Sequence, residues 1–296
     1  MSADPGLFAH GLALAAMAAA IAYWWAAGRL LRRGDAWPRW RTISFTAGSA
    51  GVAWIAVSPL PGDPFTAHMM EHLILGMAAP LLLVLARPFT LTLRVLPPGA
   101  ARRSLLTLMH SRPAAWLVFP PAAALLDLGG LWLLYRTELF AAVQDHPLGH
   151  AVMHGHVLAA GLLFTFSVCQ LDPVRHRRNL PLRGATLLAA GAAHAVLAKT
   201  LYATPPPGTA FTTADVQTGA QIMYYGGDVV EAALAVVLAA SWYQAAARTR
   251  QRRHRTYSPR TASTRTPVRS TRRTRLAHYR DLGTRDCGAS GDQGCA

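Results

Sequence analysis

The sequence FTAHMMEHLILGMAAP, residues 65–80, begins with polar residues and is wholly apolar after His72. Residues four apart lie on one face of a helix, so His68 and His72 are predicted to share a face. Met70 and Met77 add thioethers, the soft ligands that suit Cu(I). Because the polar residues crowd one end of an apolar segment, the pattern predicts a metal site at the end of a membrane-spanning helix.

Apolar residues make up 52% of the 296-residue chain, charged residues only 15%, and the apolar residues occur in long blocks. A bilayer core of about 30 Å needs about twenty helical residues, which is the length of these blocks. The sequence therefore predicts an all-α fold, a polytopic membrane bundle of seven transmembrane helices. The predicted spans are 7–30, 42–60, 65–86, 114–135, 147–171, 183–203 and 216–244.

The basic residues predict how the chain crosses the membrane. The net charge of +15 comes from 28 Arg and one Lys, Lys199, against 14 acidic residues. The loops after the first, third and fifth spans hold five, five and four Arg, whereas the other three loops hold none, one and none. This positive-inside pattern predicts an outside N-terminus and a cytoplasmic C-terminus. It indicates membrane lipid, and not nucleic acid, as the partner of the positive charge.

Two domains are predicted, residues 1–244 as the seven-helix transmembrane domain and 245–296 as a disordered, Arg-rich cytoplasmic tail. Such a tail is expected to contact anionic lipid head groups. The three cysteines, Cys169, Cys287 and Cys295, have no CxxC spacing of the metal-binding kind. No basic residues precede the first apolar run, so a cleaved signal peptide is not expected.

A second set of histidines lies at the outer end of the fifth predicted span. His146, His150 and His154 form an i, i+4, i+8 stripe, with Met153 beside them. Ionisable groups inside spans are costly to bury, so they face the bundle interior and usually mark function. The predicted metal ligands are His68, His72, His146, His150, His154, Met70, Met77 and Met153.

Five further polar residues are predicted to support these ligands from the sixth and seventh spans. They are His194, Lys199, Asp215, Gln217 and Asp228. A carboxylate of Asp215 or Asp228 is expected to pair with the Lys199 ammonium and to orient a ligating imidazole, because charges inside membranes pair with one another.

Several kinds of site are compatible with these residues. A mixed His/Met site open to the outside suits copper. A zinc hydrolase is disfavoured, because His68-Met-Met-Glu-His72 lacks the His-Glu-x-x-His spacing. Bis-His haem requires histidines at matching depth on facing helices, which His72 with His150 or His154 would provide. A copper or proton-coupled transporter, and a polar rim of an assembly surface without metal, also remain open.

Three stretches resemble the caa3-type CtaG family of cytochrome c oxidase assembly factors. They are HMMEHL with APLL and RP (residues 68–88), HPLGH with GLLF and DP (146–173), and DVQTGAQIMYYGG (215–227). The resemblance covers residues 7–244, which is the whole predicted membrane part.

The resemblance implies a non-enzymatic, multi-pass protein of the bacterial cytoplasmic (inner) membrane. Such a protein would handle copper for insertion into a haem–copper oxidase at the outer side of the membrane. Cytochrome c oxidase subunits are the implied partners, and a copper chaperone is a candidate source of the metal. By this resemblance, the foremost ligand positions are His68, His72, His146 and His150.

Overall fold

The computed structural model describes residues 5–58, 60–144, 146–175 and 177–257, which form helices joined by loops, with no strand among them. The helices are α1 (Pro5–Arg32), α2 (Arg39–Val57), α3 (Pro64–His72), α4 (Ala79–Leu85), α5 (Pro88–Val95), α6 (Ala100–Met109), α7 (Arg112–Leu117), α8 (Pro120–Arg136), α9 (Leu139–Gln144), α10 (Pro147–Cys169), α11 (Leu180–Ala203) and α12 (Thr213–Tyr257). A π-helical segment, Leu73–Ala78, joins α3 to α4. The tail from residue 258, with Cys287 and Cys295, lies outside the described residues.

The described helices have the length and surface of a multi-pass membrane protein. Five helical stretches are long and apolar enough to cross a membrane, namely His10–Arg32, Pro64–Val95, Leu148–Cys169, Leu180–Ala203 and Thr213–Gln251. Large apolar side chains face away from the core, such as Leu125, Leu188 and Val236, which are 73%, 76% and 68% exposed. Exposed apolar surface of this kind is normal against lipid and unusual against water.

The second and fourth predicted spans are helical, but neither is both long and apolar enough to count among these five. Helix α2 includes Arg39 and Arg41 together with several Ser and Thr residues, which lower its hydropathy. The stretch predicted as one span at 114–135 is divided between α7 and α8, because two prolines, Pro120 and Pro121, follow the extended Phe119. Proline removes a backbone donor and disfavours a helical conformation in the residue before it. Five spans are therefore supported, and seven remain a prediction.

The last helix extends beyond the predicted boundary at residue 244. Helix α12 continues to Tyr257 through the sequence AAARTRQRRHRTY. Alanine and arginine are among the strongest helix formers, so the change from apolar to Arg-rich composition does not end the helix.

The π-helical segment follows from Pro80, which has no N–H to donate to the Gly76 carbonyl. The Ala79 N–H instead reaches back five residues to the carbonyl of Ile74. Helix α10 approaches the segment closely here, since a Cβ added at Gly161 would overlap the Gly76 carbonyl oxygen. Single π turns inside helices are frequent at functional sites, and this one begins directly after His72.

Glycines also bring α12 against α3 and α11. Gly219 faces the Phe65 ring, and Gly227 faces the imidazole of His194 on α11. No larger residue fits at either position without displacing these side chains. Close glycine-mediated packing is typical of helices in membranes, where van der Waals contact drives their association.

Candidate metal centre

Four potential ligands from two helices, α3 and the first part of α10, lie close together. His68 and Glu71 come from α3, and His150 and His154 come from α10. One ligand atom from each residue lies within 4.8 Å of all the others. Ligand atoms around one tetrahedral ion, with bonds of about 2 Å, lie roughly 3.3 Å apart. Small side-chain rotations would therefore let these four residues, called the His68 cluster below, enclose one metal ion.

The Glu71 carboxylate is the centre of the His68 cluster. Its Oε2 lies 3.3 Å from His154 Nε2 and 3.9 Å from His68 Nδ1. The rings of His150 and His154, one helical turn apart, lie edge to face with their centres separated by 4.2 Å. Three imidazoles thus surround one carboxylate, which supplies negative charge where a cation would bind.

Tyr135 of α8 fixes the orientation of the His68 ring. A hydrogen bond of 2.9 Å joins His68 Nε2 to the Tyr135 hydroxyl, and Tyr135 is only 1% exposed. This bond leaves His68 Nδ1 on the side of Glu71. Metal-binding histidines usually hydrogen-bond through their other ring nitrogen, which fixes the tautomer and the ring orientation.

The four residues of the His68 cluster differ in how deeply they are buried. His68 is buried, whereas Glu71, His150 and His154 are only partly so. The cluster is therefore only partly enclosed by the described residues. Such partial access suits a site that exchanges its metal more than a closed structural site.

His72, predicted as the partner of His68, lies one turn deeper and faces a different pocket. Its ring centre is 6.1 Å from that of His194 on α11. A cavity of about 20 Å³ lies beside both rings and is also lined by Met77, Asp127 and Glu231. These five residues are called the His72 pocket below. The two histidines of the i, i+4 pair therefore belong to separate groups of polar residues, His68 to the His68 cluster and His72 to the His72 pocket.

The remaining predicted ligands lie elsewhere. His146 is exposed at the N-cap of α10 and is not one of the four residues of the His68 cluster. Met70 is two positions from both His68 and His72, so its side chain leaves α3 on nearly the opposite face. Met153 is buried in the main apolar core.

Asp215, predicted to pair with Lys199, instead caps the N-terminus of α3. Its carboxylate accepts hydrogen bonds from the backbone N–H of Phe65 at 2.9 Å, the N–H of Thr66 at 2.8 Å, and the Thr66 hydroxyl at 2.7 Å. Asp215 is 2% exposed, and Asp63, the residue before α3, makes no side-chain cap. A carboxylate is favourable here because the first N–H groups of a helix have no partner within the helix. Asp215 therefore positions the helix that carries His68.

Of the four other predicted supporting residues, three lie away from the predicted ligands and one lies beside them. Lys199 is exposed, and its ammonium lies 5.3 Å from the centre of the Tyr224 ring, a cation–π contact. Asp228 is exposed, and Gln217 is half-buried, with no described contact to either group of histidines. Only His194 of the five lies beside a predicted ligand.

Sequence reasoning missed Glu71 and Tyr135. Glu71 was considered only as a misplaced catalytic base, although a residue three positions after His68 lies on the same helix face. That spacing was the available signal. Nothing in the sequence indicated Tyr135, since its contact with His68 depends on how α8 packs beside α3.

The arrangement does not fit a bis-histidine haem. His150 and His154 face Glu71, so neither is turned toward His72. His72 and His194 do face each other, but the cavity of about 20 Å³ beside them is far smaller than the several hundred Å³ of a typical cofactor site.

The sequence model of the cytochrome c oxidase caa3 assembly factor family matches residues 21–245. The chain belongs to this family. The match includes α2 to α11 entire, and with them both groups of histidines. The expected resemblance to this family is thereby confirmed over residues 21–245.

Mycobacterial proteins are among the relatives. Uncharacterized protein Mb0105 of Mycobacterium bovis is 37% identical over 186 residues, covering 59% of this chain and 28% of its own length. Uncharacterized protein ML1998 of Mycobacterium leprae is 34% identical over 155 residues, covering 49% of this chain and 23% of its own. The chain thus matches only about a quarter of the length of these relatives. No solved structure matches it.

Proposed function

We propose that the chain is a copper-handling assembly factor that holds the metal at the His68 cluster for insertion into a cytochrome c oxidase. The observation that carries this proposal is the convergence of three imidazoles and a carboxylate from α3 and α10. Imidazole accepts both oxidation states of copper, and among divalent first-row metals copper binds such nitrogen and oxygen sites most tightly. Its role is binding and transfer, with no catalytic step.

The donor set refines the oxidation state expected from the sequence. Met70 and Met77 favoured Cu(I), but Met70 projects from the far side of α3 and Met77 lines the His72 pocket. Glu71 contributes a carboxylate, a harder ligand than a thioether. Three imidazoles with one carboxylate favour Cu(II) at the His68 cluster.

The distribution of arginines supports the side of the membrane that we propose for the site. The Arg-rich loops lie at the ends of the predicted spans away from the His68 cluster, and by the positive-inside pattern this supports a position of the cluster at the outer face. Metal delivered there would reach the oxidase from the outer side of a bacterial cytoplasmic membrane. Oxidase subunits are the proposed recipients, and a copper chaperone is the proposed donor.

Deleting the gene for this chain from a bacterium that carries it tests the assembly role. We expect purified cytochrome c oxidase to keep its haem but to lose copper, as measured by optical spectra and elemental analysis. The wild-type chain should restore the copper, and a chain with His150→Ala and His154→Ala should not, at equal levels in the membrane. An oxidase with full copper in the deletion strain, or restored by the variant, would contradict the proposal.

Two simpler measurements separate the alternatives. A reduced-minus-oxidised optical spectrum of the purified chain should show no haem α-band. Vesicles that contain the chain should show no copper uptake beyond surface binding, since an assembly factor needs no passage across the membrane. A haem band or sustained uptake would favour the redox protein or the transporter, respectively.

A further inference from the structure

A second pair of buried histidines lies in the His72 pocket, one turn below the His68 cluster. His72 and His194 are 5% and 3% exposed, and their ring centres are 6.1 Å apart. Two imidazoles that share one metal, with bonds of about 2 Å, have ring centres about 5 to 6 Å apart. The observed separation lies just above this range, so a small approach of the two rings would let them share one ion.

The nitrogens of these rings are available for a ligand. Both ring nitrogens of His72 and the Nε2 of His194 are buried without a hydrogen-bond partner. Buried polar atoms are nearly always hydrogen-bonded, and each one that is not needs an explanation such as an ion or a water molecule. Three such atoms lie on two facing rings here.

Glu231 on α12 holds the His194 ring in an orientation suitable for a metal. Its Oε1 lies 3.3 Å from His194 Nδ1, which leaves Nε2 free. A carboxylate bound to the far nitrogen of a metal-ligating histidine is a common arrangement, because it fixes the tautomer and makes the ring a stronger ligand. The same carboxylate supplies the negative charge that a buried cation requires.

Two glycines leave room for this arrangement. A Cβ at Gly191 on α11 would overlap the Glu231 carboxylate, and a Cβ at Gly227 on α12 would overlap the His194 ring. Each helix thus has a glycine where the polar side chain of the other helix must lie. At this point α11 and α12 therefore contact each other through the polar His194–Glu231 pair, and not through apolar side chains.

The contents of the pocket indicate which cation it would take. Met77 lines the same cavity, whose volume of about 20 Å³ holds one small ion or one water molecule. A thioether next to imidazoles selects soft Cu(I) over harder divalent ions. We infer that His72, His194 and Met77 form a second metal site, specific for cuprous ion and separate from the His68 cluster. This metal site is inferred from the geometry of the His72 pocket. Only its role in copper handling rests on the proposed function.

Removing the His68 cluster first isolates the second site. In a chain with His150→Ala and His154→Ala, titrated with cuprous ion and a chromophoric Cu(I) chelator without oxygen, we expect one bound Cu(I). Adding His194→Gln should abolish this binding. Adding Glu231→Gln should weaken it by about 10- to 100-fold, the usual effect of losing the partner of a ligating histidine.

Met77→Leu and Met69→Leu form a matched pair on the same helical stretch. Both changes conserve volume, and Met69 is fully buried in the apolar core. We expect Met77→Leu to lower Cu(I) affinity at least about tenfold and Met69→Leu to leave it unchanged, with both chains folded by circular dichroism. Absence of Cu(I) from the starting variant, or equal affinities for the two leucine variants, would overturn the second site. Neither result would bear on whether wild-type chain binds copper at the His68 cluster.

Discussion

Replacing His150 and His154 by alanine is expected to lower the affinity of the purified chain for Cu(II) by about 100-fold or more. The double change removes two of the four ligands and leaves His68 and Glu71, both on α3. Loss of a supporting partner alone costs roughly 10- to 100-fold in metal affinity, so loss of two direct ligands costs at least as much. Competition with a chelator of known affinity, followed by absorbance, measures the change.

His146→Ala is the matched control on the same helix. His146 lies one turn before His150 in sequence and was predicted as a ligand, but it is exposed and outside the His68 cluster. Its replacement should leave Cu(II) affinity within about twofold of wild type, since solvated side chains away from the ion contribute little. A large loss with His146→Ala, or none with the double variant, would show that the ligands are wrongly assigned.

Asp215→Ala is expected to destabilise the folded chain by about 3 kcal/mol or more. The change removes a buried acceptor from the N–H groups of Phe65 and Thr66 and from the Thr66 hydroxyl. Each buried donor left without a partner costs about 1–3 kcal/mol. Thermal unfolding in detergent, followed by circular dichroism, should show a clearly lower midpoint and no second stable form.

Asp228→Ala provides the comparison from the same helix. Asp228 is exposed and makes no described hydrogen bond to α3, so its replacement should not lower the midpoint of unfolding. Equal midpoints for the two alanine variants would contradict the capping role of Asp215. If Asp215→Ala lowered copper affinity while leaving stability intact, Asp215 would act on the metal and not on α3.

The sequence was sufficient to predict an all-helical chain, with five stretches able to cross a membrane, and histidines near the start of the third and fifth expected spans. Apolar blocks and their flanking arginines are local features, so they can be recognised without knowledge of packing. Pro80 and Pro120 are also recognisable from the sequence. Whether each proline ends a helix or produces a π-helical turn depends on the neighbouring residues. The low hydropathy of α2 can be read from its composition, whereas the length of α8 depends on where the helix begins.

The division of His68 and His72 between two groups could not be predicted from their spacing. Residues four apart share a helix face, but they also differ in height by about 6 Å along the axis. At the height of His68 the neighbour is α10 with its two histidines, and at the height of His72 it is α11 with His194. Which helix lies at which height is a property of the tertiary packing.

The assigned role of Asp215 shows the same limitation. A carboxylate near a membrane-buried lysine is expected to pair with it, because unpaired charges are costly there. Lys199 instead lies exposed over Tyr224, and the first turn of α3 offers Asp215 three donors at once. The residues that compete for a carboxylate are known only when the helix ends have been placed.

Pulsed electron paramagnetic resonance of the Cu(II)-loaded wild-type chain tests the central claim most directly. The His68 cluster predicts one bound Cu(II) whose spectrum shows modulation from the remote nitrogens of coordinated imidazoles. In the His150→Ala, His154→Ala variant this signal should be lost or greatly reduced, and in His146→Ala it should be unchanged. A wild-type chain without stoichiometric Cu(II), or an imidazole signal that persists in the double variant, would contradict copper binding at this cluster.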